Sequence, residues 1–188
     1  MGVMVVSRRV DARRNEQVLV EAAARAFVEH GVDAPVRDIA ARAGVGTGTV
    51  YRHFPTRADL VIAVYRHQVD ACADAGAELL DTGTAGYDAL VQWVDMFVEF
   101  LVTKHGLAAA LQSGSARFEA LHAYFLERLL PVGAALLTAA ESAGEIRPGV
   151  NAYGLLRGIG NLCAGPDGDD RYDAHQLVSL LVAGLRVQ

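Results

Sequence analysis

The densest run of hydrogen-bonding side chains in this sequence lies in PVRDIAARAGVGTGTVYRHF, residues 35–54. Thr47, Thr49, Tyr51, Arg52 and His53 are short, aromatic or cationic donors and acceptors grouped around Gly48, with no long hydrophobe on the outward face. Such side chains suit phosphate oxygens and base edges. Two short helices joined by a tight turn at Gly44 bury little on their own, so they must cross steeply over a third helix, the one carrying Val18, Leu19, Ala22, Ala26 and Phe27. Ala40 is small where the two would touch, and Val45 and Val50 supply the wedge. That geometry is a helix-turn-helix, which pushes its second helix outward toward a DNA major groove. A polar, solvated face on an ordinary helical domain would carry the same residue types.

Other chemistries find less support. The glycines of GVGTG at residues 44–48 are not GxGxxG and follow a helical pattern rather than a strand, so no nucleotide loop is expected. Histidines 30, 53, 67, 105, 122 and 175 form no HxxxH pair, and Cys72 and Cys163 form no CxxC; no metal site, disulfide framework or cofactor is expected. Ser113 and Ser115 flank Gly114 without a preceding strand, so a nucleophile elbow is excluded. The expectation is a protein that is not an enzyme.

The elements needed to position residues 35–54 are helices. An amphipathic pattern runs from about Asp11 to Gly31; Pro35 opens a second helix that Gly44 closes; Thr47 begins a third that Pro55 stops. TRAD, residues 56–59, is a capping box opening a longer fourth helix toward Leu80. After a glycine-bearing loop at 81–86, helical patterns follow at 87–105, 107–112, 117–143 (with a kink or split at Pro131), 151–163 and 173–187. β-type alternation appears only at residues 3–6. The fold class is all-α: an N-terminal three-helix domain with the helix-turn-helix, at residues 11–56, and a larger helical domain at 57–188, about nine helices in all.

The chain has 188 residues, 52% of them hydrophobic and 21% charged, enough apolar side chain for a core. The stretches at 131–140 and 177–185 fall short of the roughly 18 residues of a membrane span, and residues 1–6 are too short for a signal core; a cytoplasmic protein with no membrane partner is expected. The net charge of −5 is uneven. Residues 1–66 hold ten arginines against seven acids, +3, and the remaining 122 residues carry −8. A basic head on an acidic body is the electrostatic footprint of polyanion binding.

Residues 13–66, above all DIAARAGV at 38–45 and GTVYRHFPTRADL at 48–60, resemble the DNA-binding domain of the tetracycline-repressor (TetR) family of transcriptional regulators. The resemblance implies a ligand-responsive repressor that binds a palindromic operator in double-stranded DNA as a homodimer. Thr47, Thr49, Tyr51 and His53 match the family's DNA-contacting positions, Tyr51 and His53 chiefly as phosphate clamps. Arg37 matches a position that reaches a base or phosphate, and Arg57 a phosphate contact; Gly48 and Arg52 complete the expected DNA-binding set. The rest of the chain resembles the family loosely, with SAGEIRPGV at 142–150 similar to the C-terminal part of actinobacterial members. The alternative is a helical small-molecule or partner-binding protein with a degenerate DNA-binding domain.

Two further sets follow from periodicity. Trp93, Phe97 and Phe100 recur at spacings of four and three, and Phe118, His122 and Phe125 repeat that spacing. With Gln112 and Tyr124 interleaved, they are candidates for a pocket holding a small, largely apolar effector, or for plain core. Leu155, Leu156, Ile159 and Leu162, together with Leu177, Leu180, Leu181 and Leu185, carry more apolar surface than one body needs and are expected to pair with their symmetry mates.

Overall fold

The computed structural model describes residues 3–102, 116–164 and 171–187. It contains α1 (Val3–His30), α2 (Val36–Arg42), α3 (Thr47–His53), α4 (Arg57–Asp81), α5 (Gly86–Val102), α6 (Ala116–Ser142), α7 (Ala152–Cys163) and α8 (Ala174–Ala183). Among the described residues there are eight helices and no strand, only an antiparallel bridge between Ile146 and Arg186. The helical turn expected at 107–112 lies outside the described residues. Residues 3–6, which alternate as a strand would, are the first turns of α1.

Two compact units emerge, one built on residues up to His67 together with 116–119, the other from Gln68 onward; the chain passes from the first to the second within α4. The first unit packs α1 against α2 and α2 against α3. Its core is Leu19, Ala22, Ala23, Ala26, Ile39, Ala40, Val50, Phe54, Leu60 and Val64, all nearly or fully buried. Val18, assigned inward by the sequence pattern, is exposed, because the buried stripe of α1 is centred one residue later on Leu19, Ala22, Ala23 and Ala26. The turn between α2 and α3 puts Gly44 at φ +68°, a left-handed conformation that glycine adopts without strain. The capping box at the start of α4 forms as the sequence indicates: the Thr56 N–H and hydroxyl both donate to the Asp59 carboxylate, at 3.0 and 2.7 Å.

In the second unit α5 packs on α7 and α8, which also pack on each other. Leu90, Trp93, Val94, Phe97 and Val98 form the buried face of α5, and Phe125, Leu129, Leu136 and Leu137 that of α6. Glycines set the closest approaches: a Cβ on Gly86 would lie 2.6 Å from the backbone of Ala140, so α5 begins directly against α6. α6 runs unbroken through Pro131, where the sequence predicted a kink or split. Pro131 and Glu127, whose carbonyl the ring displaces, are both exposed, so solvent serves the freed acceptor while Leu129, Gly133 and Leu136 hold the opposite face. By length and composition α6 matches a membrane span, longer than the apolar stretches visible in sequence. It buries one stripe, including Leu121, Phe125, Leu129 and Leu136, and carries ion pairs from Arg128 to Asp70 and Asp74. The last residues are pinned to the turn after α6, Arg147 N–H donating to Leu185 and Val187 N–H to Glu145.

Candidate nucleic-acid interface

Helix α3 is seven residues long and owes its position to one side chain. Val50 is 1% exposed and anchors it in the core shared by this unit, with α3 packed on α2, and the helix closes with Phe54 N–H donating to the Val50 carbonyl. Burying Val50 turns the other side outward: Thr47, Gly48, Tyr51 and Arg52 are exposed, with Tyr51 at 55%, and Thr49 and His53 are half-buried. The hydrogen-bonding residues picked out in the sequence thus share one solvent-facing surface in a helix that a duplex groove can admit. Arg37 stands at the start of α2 with its side chain 82% exposed, its Nε 3.3 Å from the Asp38 carboxylate.

The frame behind this surface is tied by two arginines. Arg42 on α2 donates through both terminal nitrogens to Glu29 on α1, one bond at 2.8 Å. The hydrogen bond from Arg42 holds the Glu29 carboxyl below its usual range, and Glu29 raises Arg42 in return. These partners are thirteen residues apart, and no local sequence signal joins them. Arg57 does not reach outward in the manner its nomination as a phosphate contact implies. Its Nε donates to the Val32 carbonyl at 2.7 Å, a terminal nitrogen donates to the same oxygen, and the guanidinium lies over the Phe27 ring, 5.2 Å from the centroid. Partial burial draws its pKa below the ordinary arginine value. The loop at 31–34 leaves the Val32 carbonyl without a helix partner, and Arg57 supplies one.

In the second unit Trp93, Phe97, Phe100 and Phe125, nominated for an effector pocket, are stacked on one another. Trp93 and Phe97 are fully buried and lie 5.5 Å apart with rings nearly parallel; Phe97 meets Phe125 at 5.8 Å, and Phe100 meets Phe125 at 6.2 Å. His122 stacks on Phe125 at 6.0 Å from an exposed position, and Phe118 is half-buried. Gln112 lies outside the described residues. The polar groups among these rings have partners within the protein. Trp93 Nε1 donates to the Cys72 carbonyl at 2.9 Å, and the Tyr124 hydroxyl donates to Asp70 at 2.7 Å beside the Arg128 Nε. The buried Cys72 thiol is pushed up to about 12, which leaves it unreactive near neutral pH. A cleft of about 120 Å³ opens instead between α5 and α8, and none of the nominated aromatics lines it.

The leucines expected to face a partner divide. Leu155, Leu156 and Ile159 are buried in this unit's own core, Leu156 against Gly133 of α6, so they are core residues and not the interface expected from the sequence. Leu177, Leu180 and Leu181 are exposed, Leu180 at 65%, and Leu162 and Leu185 are half-buried. Tyr153 at 47% adds to the apolar surface and is absent from the sequence-derived set, since a tyrosine at the start of a helix reads equally as solvated.

Comparison with known proteins bears on both units. Residues 19–64 match the family described as "Bacterial regulatory proteins, tetR family", and residues 85–187 match "Transcriptional regulator SbtR-like, C-terminal domain". A TetR transcriptional regulator from Streptomyces coelicolor is 34% identical, with 91% of this chain and 98% of that chain covered, at a TM-score of 0.70. A TetR transcription regulatory protein from Mycobacterium vanbaalenii is 32% identical over 95% and 99% of the two chains, at a TM-score of 0.73. An HTH-type transcriptional regulator of Staphylococcus aureus is 27% identical over 122 residues, 64% of this chain and 66% of that protein, so the match spans just under two thirds of this curated relative.

Proposed function

The chain belongs to the TetR family of bacterial transcriptional regulators, and from that we propose that it acts as a ligand-responsive repressor binding a pseudo-palindromic operator as a homodimer. It is a DNA-binding regulator with an N-terminal helix-turn-helix and a helical C-terminal domain. In this reading residues 11–56 read DNA and residues 57–188 bind effector and dimerise. The observation that carries it is α3: Val50 buried on one side, with Thr47, Gly48, Tyr51 and Arg52 exposed on the other. Thr47 and Thr49 would meet base edges, Tyr51, Arg52 and His53 phosphates, and Arg37 a base or phosphate from α2. One such helix contacts too few base pairs for useful specificity, so two heads would occupy half-sites about 34–36 Å apart, or a multiple of that. Leu177, Leu180 and Leu181, exposed on α8, support pairing through the C-terminal helices.

The effector of this reading is small and largely apolar, and it binds by parting the stack of Trp93, Phe97, Phe100 and Phe125. By favouring a conformation with wrongly spaced heads it releases DNA. The working compartment is the cytoplasm, where the operator is, and no catalytic step is assigned. Selection from a randomised duplex pool followed by footprinting tests the central claim: two symmetric protected half-sites one turn apart support it, and failure to enrich any sequence refutes it.

A further inference from the structure

The basic charge of the first 66 residues is concentrated outside the DNA-reading fold. Residues 1–14 hold Arg8, Arg9, Arg13 and Arg14 against Asp11 alone, a net of +3. Residues 15–66 hold six arginines and six acids, a net of zero, so the whole +3 belongs to the first fourteen residues. Arg42 pairs with Glu29, Arg57 with the Val32 carbonyl, and Arg37 with Asp38, all inside the unit. The remaining 122 residues carry −8 and repel a polyanion. An electroneutral reading head on an acidic chain has no net positive charge of its own to add to the few cationic contacts of α2 and α3, and duplex binding depends on such charge.

The first turns of α1 supply it. α1 begins at Val3, with no acid in its first turn, and continues without a break to His30, through the core residues Leu19, Ala22 and Ala26. The family match begins only at residue 19. At about 1.5 Å per residue, the helix upstream of that point adds about 24 Å to the head as a continuation of its central helix. Four arginines therefore sit on the N-terminal part of the same helix on which α2 packs.

We propose that residues 3–14 form an electrostatic arm that contacts the DNA backbone beside the site read by α3 and supplies most of the phosphate neutralisation in the complex. This rests on the DNA-binding reading above. The arm contributes affinity without sequence preference, and α3 with Arg37 contributes the preference.

The test uses the full-length protein, a random-sequence duplex and a duplex selected by the wild type from a randomised pool, with binding followed by anisotropy over a potassium chloride series. The variants are R8Q/R9Q/R13Q/R14Q, its all-lysine counterpart, and R13Q/R14Q alone. Two backbone contacts per chain, about four per dimer, correspond to a fall of about 3.6 in the slope of log K against log salt, and at about 0.1 M salt to a roughly four-thousandfold weaker affinity. The all-glutamine variant should show this on both duplexes, keeping the ratio between them. The lysine variant should restore the slope, and R13Q/R14Q should give an intermediate one. Circular dichroism checks that each variant is folded; should the quadruple variant not be, the intermediate slope of R13Q/R14Q decides. Wild-type slope and affinity in a folded glutamine variant overturn the arm. So does lost binding to phosphatidylglycerol vesicles with DNA binding intact, which would make the arm a membrane contact. If the wild type itself binds neither duplex, the DNA-binding reading fails first and the arm with it.

Discussion

Replacing Arg57 by alanine separates two jobs that sequence and structure give the same side chain. If Arg57 neutralises a phosphate, its removal would leave the free protein's stability untouched and lower the salt slope by about 0.9 for each phosphate no longer neutralised. In the structure it donates twice to the Val32 carbonyl and covers the Phe27 ring at 5.2 Å. A hydrogen bond from a charged donor is worth about 1.5–3 kcal/mol, and a cation over an aromatic face at a partly exposed site about 0.5–1 kcal/mol. Because Arg57 is only partly buried, the low end of both ranges applies, and Arg57→Ala should cost about 2 kcal/mol. For a chain of this size that is about 4–8 °C in Tm. Arg57→Lys keeps the charge but loses the planar fork that bonds the carbonyl and stacks at once, so it should recover about half. Thermal unfolding followed by circular dichroism without DNA, at matched protein concentration because the oligomer contributes, reads the first quantity; anisotropy against salt reads the second. An unchanged Tm with a reduced salt slope would show that Arg57 serves the DNA and that its bond to Val32 is incidental.

Tyr51→Ala should weaken binding to all duplexes alike, whereas Arg37→Ala should also relax discrimination by about 1–3 kcal/mol; equal affinity of both variants and wild type for a selected operator would remove these residues from the interface. A Cβ on Gly76 would stand 2.3 Å from Val132 and 2.8 Å from the Trp93 indole, so Gly76→Ala should cost about 1–3 kcal/mol of overpacking against a helix-propensity gain of about 0.5–1 kcal/mol, and a raised Tm would contradict the packing described. Hydrogen bonds from Thr56 lower the Asp59 pKa, so its stabilising effect is present above the ordinary aspartate value and is lost as pH falls through the lower folded value. Asp59→Asn should flatten that acid limb of the unfolding curve, and an unaltered limb would show that the capping box is not what titrates. Leu180→Glu, at a side chain 65% exposed, should convert a particle of twice the chain mass to one of chain mass in light scattering; a wild type already at chain mass would end the dimer proposal.

What was legible in the sequence is what local chemistry determines. Gly44 announced a tight turn, Thr56 and Asp59 a capping box, and Ala40 with the wedge of Val45 and Val50 two crossing helices; each signal lies within a few residues, and each appears in the structure. Amphipathic spacing located the buried stripe of α1 only to within one residue, since neighbouring positions differ by about 100° around a helix and Val18 is as apolar as Leu19. What the sequence leaves illegible depends on partners distant in sequence. The Arg42–Glu29 clamp and the turn of Arg57 toward Val32 join residues thirteen and twenty-five positions apart. The leucines show the same limit within one set: Leu156 and Leu180 are identical in type and both sit on apolar helix faces, yet one is 5% and the other 65% exposed. A stripe in the sequence says that something covers it, and only the packing within the folded unit shows that Leu156 is covered by its own chain. Leu180, left uncovered after that packing, is therefore the more informative residue for a partner, because the fold has already used the apolar surface it needs for itself.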